Sequence, residues 1–149
     1  MDTALRGKEI YDSGYCCSES VLMAVAEKHG IQSDLIPKIA TGFCGGFSRT
    51  SGPCGALSGG IMAISLFFGR VESDDSSDRN VEAVQAFIRE FEKHNGATGC
   101  TDIIGFDLSK PGERERANAA GVDRKCSDIS GHAAGLADAI IEKYAAKSV

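Results

Sequence analysis

Residues 54–69 constrain the fold of this chain most, because they are apolar on nearly every side when they are wound as a helix. Within them, the block 61–68 contains one polar residue, Ser65. A helix without a polar face is normally buried in the middle of a bundle. The block is too short for the roughly 20 apolar residues that span a bilayer. We therefore predict a buried central helix and no insertion into a membrane.

The rest of the chain also favours helices. Apolar residues recur at helical spacing in 78–95 and in 127–146, where they are Ile129, Ala133, Leu136, Ala137, Ile140, Ile141 and Tyr144. Shorter helices are predicted to begin at Ser18 and at Ser33, with these serines as N-caps. No segment alternates with a period of two for long enough to predict a strand. We expect one all-α domain over 1–149, a bundle of five to seven helices whose central helix follows a glycine-rich loop.

Charge and cysteine content narrow the possible functions. The formal net charge of −5 argues against nucleic acid as a partner, because phosphate binding needs a basic face. The first six residues lack the basic start and apolar core of a signal peptide, so we expect the cytoplasm. Thiols stay reduced there, and the 6 scattered cysteines then indicate catalysis, redox sensing or metal binding rather than a disulfide framework.

The glycine-rich loop, residues 42–55, leads into the apolar helix and contains the sharpest motif. Pro53 suits the first helical turn, which puts Cys54 at or inside that turn. Free N–H groups and the positive end of the helix dipole stabilise a thiolate there, so we expect a Cys54 pKa below the free value of about 8.5. Gly59 and Gly60 each destabilise a helix by about 1 kcal/mol relative to alanine, so we expect them to permit close helix packing.

Three further cysteines lie near predicted helix ends or irregular segments. Cys17 directly precedes the predicted cap Ser18, and Cys126 lies at the predicted start of the last helix beside basic residues that favour a thiolate. Cys100 lies in a segment that we predict to be irregular. Cys16 and Cys17 are adjacent and rarely pair with each other, because that ring is strained. Cys16 is expected to be a small buried apolar residue.

These cysteines and their surroundings resemble a family of proteins described as redox-active and named for the pattern C-GCAxxG-C-C. The matching residues are Cys17, the run Cys-Gly-Ala-Leu-Ser-Gly at 54–59, Cys100 and Cys126. The resemblance covers nearly the whole chain and implies that these four cysteines form the site. Cys16 and Cys44 lie outside the pattern. The resemblance implies a redox role without specifying a reaction.

Two chemistries suit the four cysteines. In the first, Cys54 is the leading thiolate, which attacks a disulfide or an oxidant, and a second cysteine resolves the intermediate. In the second, the four thiolates bind zinc or an iron–sulfur cluster. The chain has no Cys-x-x-Cys motif, so both depend on the fold to bring distant cysteines together. A purely structural role is the third possibility. The sequence specifies neither the redox partner nor the oligomeric state.

The remaining candidates are weaker. His29 and His94 lie at predicted helix C-termini, where a cation is favoured, and we expect both to be solvent-exposed. His132 lies on the last helix and is a weak candidate for a base or a metal ligand. Arg49 lies in the glycine-rich loop, where a guanidinium would pair with a thiolate or an anionic ligand. The loop lacks the lysine of a nucleotide-binding P-loop, so nucleotide binding is not expected.

Overall fold

The computed structural model describes residues 1–147. In this part of the chain every regular element is a helix, without a strand, and turns and loops join the helices. The eight α-helices are α1 Thr3–Asp12, α2 Cys17–Lys28, α3 Cys44–Phe47, α4 Gly55–Phe68, α5 Asp78–Asn95, α6 Cys100–Ile104, α7 Glu113–Ala119 and α8 Val122–Ala145. A 3-10 helix, Lys38–Phe43, follows α2. Across the described residues, no helix has both the length and the apolar character needed to cross a membrane.

The all-α prediction is confirmed, whereas the predicted count of five to seven helices is too low. The two extra elements are the single turns α3 and α6, which form in segments assigned from the sequence to a loop and to irregular structure. Of these, α3 is not a regular right-handed helix, because Gly45, Gly46 and Phe47 have positive φ. The α-helix predicted after Ser33 does not form. That segment forms turns that lead into the 3-10 helix. Short turns of this kind have no amphipathic repeat, so periodicity does not reveal them.

Helix α4 packs against α2, α5 and α8, and α1 packs against α2 and α8. Large side chains from these helices fill the core: Leu22, Ile64, Phe87, Phe91 and Ile141. Burial of α4 on all sides is limited to its first half, residues 55–60. Towards its end the helix becomes partly exposed, with 43% of Leu66 accessible to solvent. The sheltered half is the one that begins at the cysteine motif.

Two glycines let α4 pack closely against its neighbours, Gly59 against α2 and Gly60 against α5. A Cβ atom added to Gly59 would lie 2.6 Å from the carbonyl oxygen of Ser18, and one added to Gly60 would overlap the ring of Phe87. The predicted packing role of both glycines is therefore confirmed. The Gly59 contact is backbone against backbone at the start of α2, so it also fixes the position of that helix start relative to α4.

Besides α3, which begins at Cys44, three helix starts carry a cysteine. Helix α2 begins at Cys17 with Cys16 as its N-cap, in place of the predicted cap Ser18. Cys54 is the N-cap of α4, and Cys100 is the first residue of α6. Cys126 differs from the prediction, because α8 begins earlier, at Val122, after a left-handed Gly121 with φ of 79°. Cys126 therefore lies more than one turn inside its helix.

Candidate functional site

All six cysteines line one cavity with a volume of about 660 Å³. Four of them are free: Cys17, Cys54, Cys100 and Cys126. Of these, Cys54 and Cys100 are buried, whereas Cys17 and Cys126 are partly exposed. Cys16 and Cys44 form a disulfide. The fold thus brings the four cysteines of the sequence pattern together and adds the two that lie outside it.

Cys17 and Cys54 are neighbours because the starts of α2 and α4 meet. A Cβ atom added to Gly55 would overlap the Sγ of Cys17, so that sulfur lies directly against the first turn of α4. Backbone N–H groups of Ser18, Gly45 and Gly55 surround the Cys17 sulfur and act to lower its pKa. Two further N–H groups, those of Ala56 and Leu57, act in the same way on Cys54.

Burial nevertheless outweighs these N–H groups. Burial, followed by the nearby charge of an ionised Cys17, raises the pKa of Cys54 to about 12. Burial also raises the pKa of Cys17. The predicted lowering of the Cys54 pKa is therefore wrong. The physical reason is that this helix start lies in the protein interior, where loss of hydration penalises a thiolate more than the helix start stabilises it.

Cys100 is held beside Cys54 by a short piece of antiparallel pairing between Pro53 and Gly99. The Cys54 N–H donates to the carbonyl of Thr98 at 2.8 Å, and the Cys100 N–H donates to the carbonyl of Gly52 at 3.0 Å. The starts of α4 and α6 therefore lie side by side. Burial raises the pKa of Cys100 to about 11.

Cys126 has a different environment, because its position inside α8 leaves no free N–H group for its sulfur. Its polar neighbour is Tyr11, whose hydroxyl is a hydrogen-bond partner of the thiol and donates to Asp123 Oδ1 at 3.2 Å. Burial raises the pKa of Cys126 to about 12, with smaller contributions from the charges of Cys17 and Cys100. All four free thiols are therefore protonated at neutral pH.

The disulfide between Cys16 and Cys44 is the feature that sequence analysis missed. Its Cα atoms are 5.9 Å apart, and the Ser18 hydroxyl lies 3.3 Å from the Cys16 sulfur and 3.2 Å from the Cys44 sulfur. Cys16 was expected to be an apolar filler. The available signal was its position directly before Cys17, together with the cysteine in the glycine-rich loop.

Glu19 adds a carboxylate to this pair. One of its oxygens accepts from the Cys16 N–H at 3.0 Å, and the other accepts from the Thr41 hydroxyl at 2.7 Å. The two sulfurs and a Glu19 oxygen all lie within 4.8 Å of one another. No other group of three or more Cys, His, Asp or Glu ligands meets that criterion in residues 1–147, so the four free cysteines do not form an equally compact set.

The loop that supplies Cys44 has an unusual backbone. Residues 45–49 all have positive φ, between 56° and 75°, and three of them are not glycine: Phe47, Ser48 and Arg49. Hydrogen bonds from Ser48 N–H to the Cys44 carbonyl and from Thr50 N–H to the Gly46 carbonyl close a left-handed turn. Left-handed helical backbone is unfavourable by roughly 1–2 kcal/mol per L-residue, and such strain concentrates at functional sites.

The charged and histidine candidates separate into two groups. Arg49 and Arg114 both line the cavity that the cysteines line. The histidines lie elsewhere. His29 pairs with Asp138 at 2.7 Å and its side chain is only 22% exposed, so the expectation of an exposed His29 is wrong. His94 stacks on His132 with ring centroids 3.6 Å apart, and neither belongs to the cavity lining.

Comparisons with known proteins found a family match and a relative. A family model described as "Putative redox-active protein (C_GCAxxG_C_C)" matches residues 15–140, a range that contains all six cysteines. An uncharacterized protein of Archaeoglobus fulgidus is 31% identical over 134 residues, which cover 83% of this chain and 83% of that protein. No solved structure matches the chain.

Proposed function

The chain belongs to the C_GCAxxG_C_C family, and on that premise we propose that it is a thiol-based redox protein that takes up and returns electron pairs by dithiol–disulfide exchange. The observation that carries this proposal is the single cavity lined by all six cysteines. One pair there is a disulfide and four thiols are free, so oxidised and reduced sulfur lie within the same cavity. Exchange between thiols and disulfides needs only access of one sulfur to another.

Cys17 and Cys54 are the proposed reacting pair. The Cys17 sulfur lies against Gly55, the residue next to Cys54, and an ionised Cys17 raises the pKa of Cys54. Cys17 is partly exposed and is surrounded by N–H groups, which supports a role as the thiol that attacks an incoming substrate. Cys54 was expected from the sequence to be the leading thiolate, and its burial supports the second, resolving role instead.

The proposed reaction reduces a small-molecule disulfide. Cys17 is protonated at neutral pH and reacts through the small fraction that has lost its proton. This thiolate attacks one substrate sulfur, forming a mixed disulfide and releasing the first substrate thiol. The Cys54 thiolate then attacks the Cys17 sulfur, which forms the Cys17–Cys54 disulfide and releases the second thiol. Two electrons pass to the substrate, and the protons of the two cysteines end on the two product thiols.

Cys100 and Cys126 have a supporting role in this proposal. They lie close enough to interact electrostatically with the other thiols, since the charges of Cys17 and Cys100 both raise the pKa of Cys126. In this proposal they stay reduced, and the charge of Cys100 once it is ionised raises the pKa of Cys54. The alternative of zinc bound by the four free cysteines is less well supported. Sulfurs of a tetrahedral zinc site lie about 3.8 Å apart, and these four do not form so compact a set in the described residues.

Thiol counting tests the proposal. The full chain, purified anaerobically, is exposed to glutathione disulfide, denatured and titrated for free thiols. We expect a reversible loss of two thiols, and peptide mapping by mass spectrometry is expected to find Cys17 joined to Cys54. Cys17→Ser and Cys54→Ser should each abolish that disulfide, and Ser58→Ala on α4 is the matched control that leaves it intact. An unchanged thiol count with every disulfide oxidant would reject the proposal. Zinc or iron found in stoichiometric amount by elemental analysis would favour the alternative.

A further inference from the structure

We infer that Cys16, Cys44 and Glu19 form a second, separate site that binds a thiophilic divalent cation such as Zn²⁺ once their disulfide is reduced. The ligand atoms of these residues all lie within 4.8 Å of one another. Two thiolates and a carboxylate are donors that Zn²⁺ accepts, and all three residues line the cavity. Neither cysteine belongs to the four of the family pattern, so the site does not depend on the redox function proposed above.

The carboxylate of this site is already held in place. Each Glu19 oxygen accepts one hydrogen bond, from the Cys16 N–H and from the Thr41 hydroxyl, and each oxygen keeps a lone pair for a metal ion. Hydrogen bonds of this kind orient metal ligands and raise metal affinity. The Ser18 hydroxyl contacts both sulfurs and donates to the Ala40 carbonyl, so the groups around the site are fixed as well.

Bound zinc would need only a small change in the protein. Sulfurs that share a tetrahedral zinc ion lie about 3.8 Å apart, and the Cα atoms of Cys16 and Cys44 are 5.9 Å apart. Three protein ligands leave the fourth position open to a water molecule from the cavity, which is the arrangement of a reactive rather than a purely structural zinc site. Arg49 lines the same cavity and offsets the negative charge of two thiolates and a carboxylate.

Oxidation state controls this site, because a disulfide has no thiolate to offer a metal ion. A dithiol reductant transfers two electrons to the Cys16–Cys44 bond and becomes a disulfide itself. The two cysteine sulfurs then bind Zn²⁺ as thiolates, and the two protons of the reductant are released to solvent. Reoxidation by a disulfide compound reverses the step and releases the ion.

Calorimetric titration with Zn²⁺ alone tests the inference. The full chain is reduced, freed of reductant under anaerobic conditions and compared with the same chain bearing the Cys16–Cys44 disulfide. We expect one zinc ion per chain in the reduced state and none in the oxidised state. Cys16→Ser and Cys44→Ser should each weaken binding by roughly 100-fold or more, and Glu19→Gln by about 10- to 100-fold. Cys54→Ser and Cys126→Ser are the controls, with unchanged affinity expected.

Titration with Co²⁺ keeps the inference testable if a variant is unstable. The wild-type reduced chain should show thiolate-to-cobalt charge transfer with the intensity of two thiolates, halved in Cys44→Ser. Equal metal binding by the oxidised chain would overturn the inference. So would binding that is lost in Cys54→Ser but retained in Cys44→Ser, because the ion would then belong to the four cysteines of the proposed redox site.

Discussion

The two ends of α2 stabilise buried polar groups in opposite ways. At its start, burial keeps the Cys17 thiol protonated. The backbone N–H groups around its sulfur therefore surround a neutral thiol instead of a thiolate. At its other end, the capping residue His29 pairs with Asp138, which also accepts from the Thr3 hydroxyl at 2.7 Å. The first arrangement can change its charge and its bonding, whereas the second is a fixed network. The comparison separates the free thiol at the start of the helix from the paired side chains at its end.

The largest expected effect is on the stability of the reduced protein at alkaline pH, and it comes from the thiols where the starts of α2 and α4 meet. Burial places the pKa of Cys54 at about 12 in the folded protein, above a value of about 8.5 in the unfolded chain. The unfolded chain therefore loses its proton first, and the stability of the reduced protein falls as pH rises from about 9 to about 12. Each such thiol contributes a slope of up to about 1.4 kcal/mol per pH unit.

Denaturant unfolding of the reduced protein between pH 7 and 11 measures this effect. Cys54→Ser removes one ionising thiol and should give a shallower decline, while the tyrosines and lysines that also titrate are the same in both proteins. Parallel curves for the two proteins would show that the Cys54 thiol ionises as easily in the folded state as in the unfolded state, which contradicts its burial.

A smaller effect is expected from separating α2 and α4. In Gly59→Ala the new methyl group would lie 2.6 Å from the Ser18 carbonyl, so one helix must shift. We expect a loss of about 1–3 kcal/mol in the free energy of unfolding, with faster alkylation of Cys17 because the helix starts move apart. Gly42→Ala is the matched control, since a Cβ there meets no atom within 4 Å. Similar stability of the two variants would mean that the backbone contact at Gly59 does not hold the start of α2 against α4.

The smallest expected effect is at the other end of α2. Asp138→Asn removes the charge that His29 and Thr3 share, and we expect destabilisation by about 1–2 kcal/mol with no change in thiol oxidation. The measurements are chemical unfolding and the rate of thiol loss with glutathione disulfide. A changed oxidation rate at equal folded fraction would show that the two ends of α2 are coupled and would remove the distinction drawn above.

Local pattern in the sequence was enough for the helical class and for the amphipathic helix Asp78–Asn95, whose predicted bounds the structure reproduces. It was not enough for the Cys54 pKa. The helix-start rule describes the nearest few N–H groups, whereas the sign of the shift depends on how far the folded protein buries the thiol, which a local rule does not include. The Cys16–Cys44 disulfide spans 28 residues and depends on a left-handed turn that contains three residues other than glycine. No propensity rule predicts such a turn, because it is unfavourable locally.

Cys16 and Cys17 are consecutive residues, yet they belong to different sulfur pairs: one is bonded to Cys44 and the other lies against the start of α4. A single peptide unit therefore joins a disulfide to a free thiol. Opening the Cys44 bond frees the capping residue of α2, and the turn that presents Cys17 loses its covalent anchor to the glycine-rich loop. The bond that holds Cys16 and the position of Cys17 against α4 are therefore linked through one peptide unit.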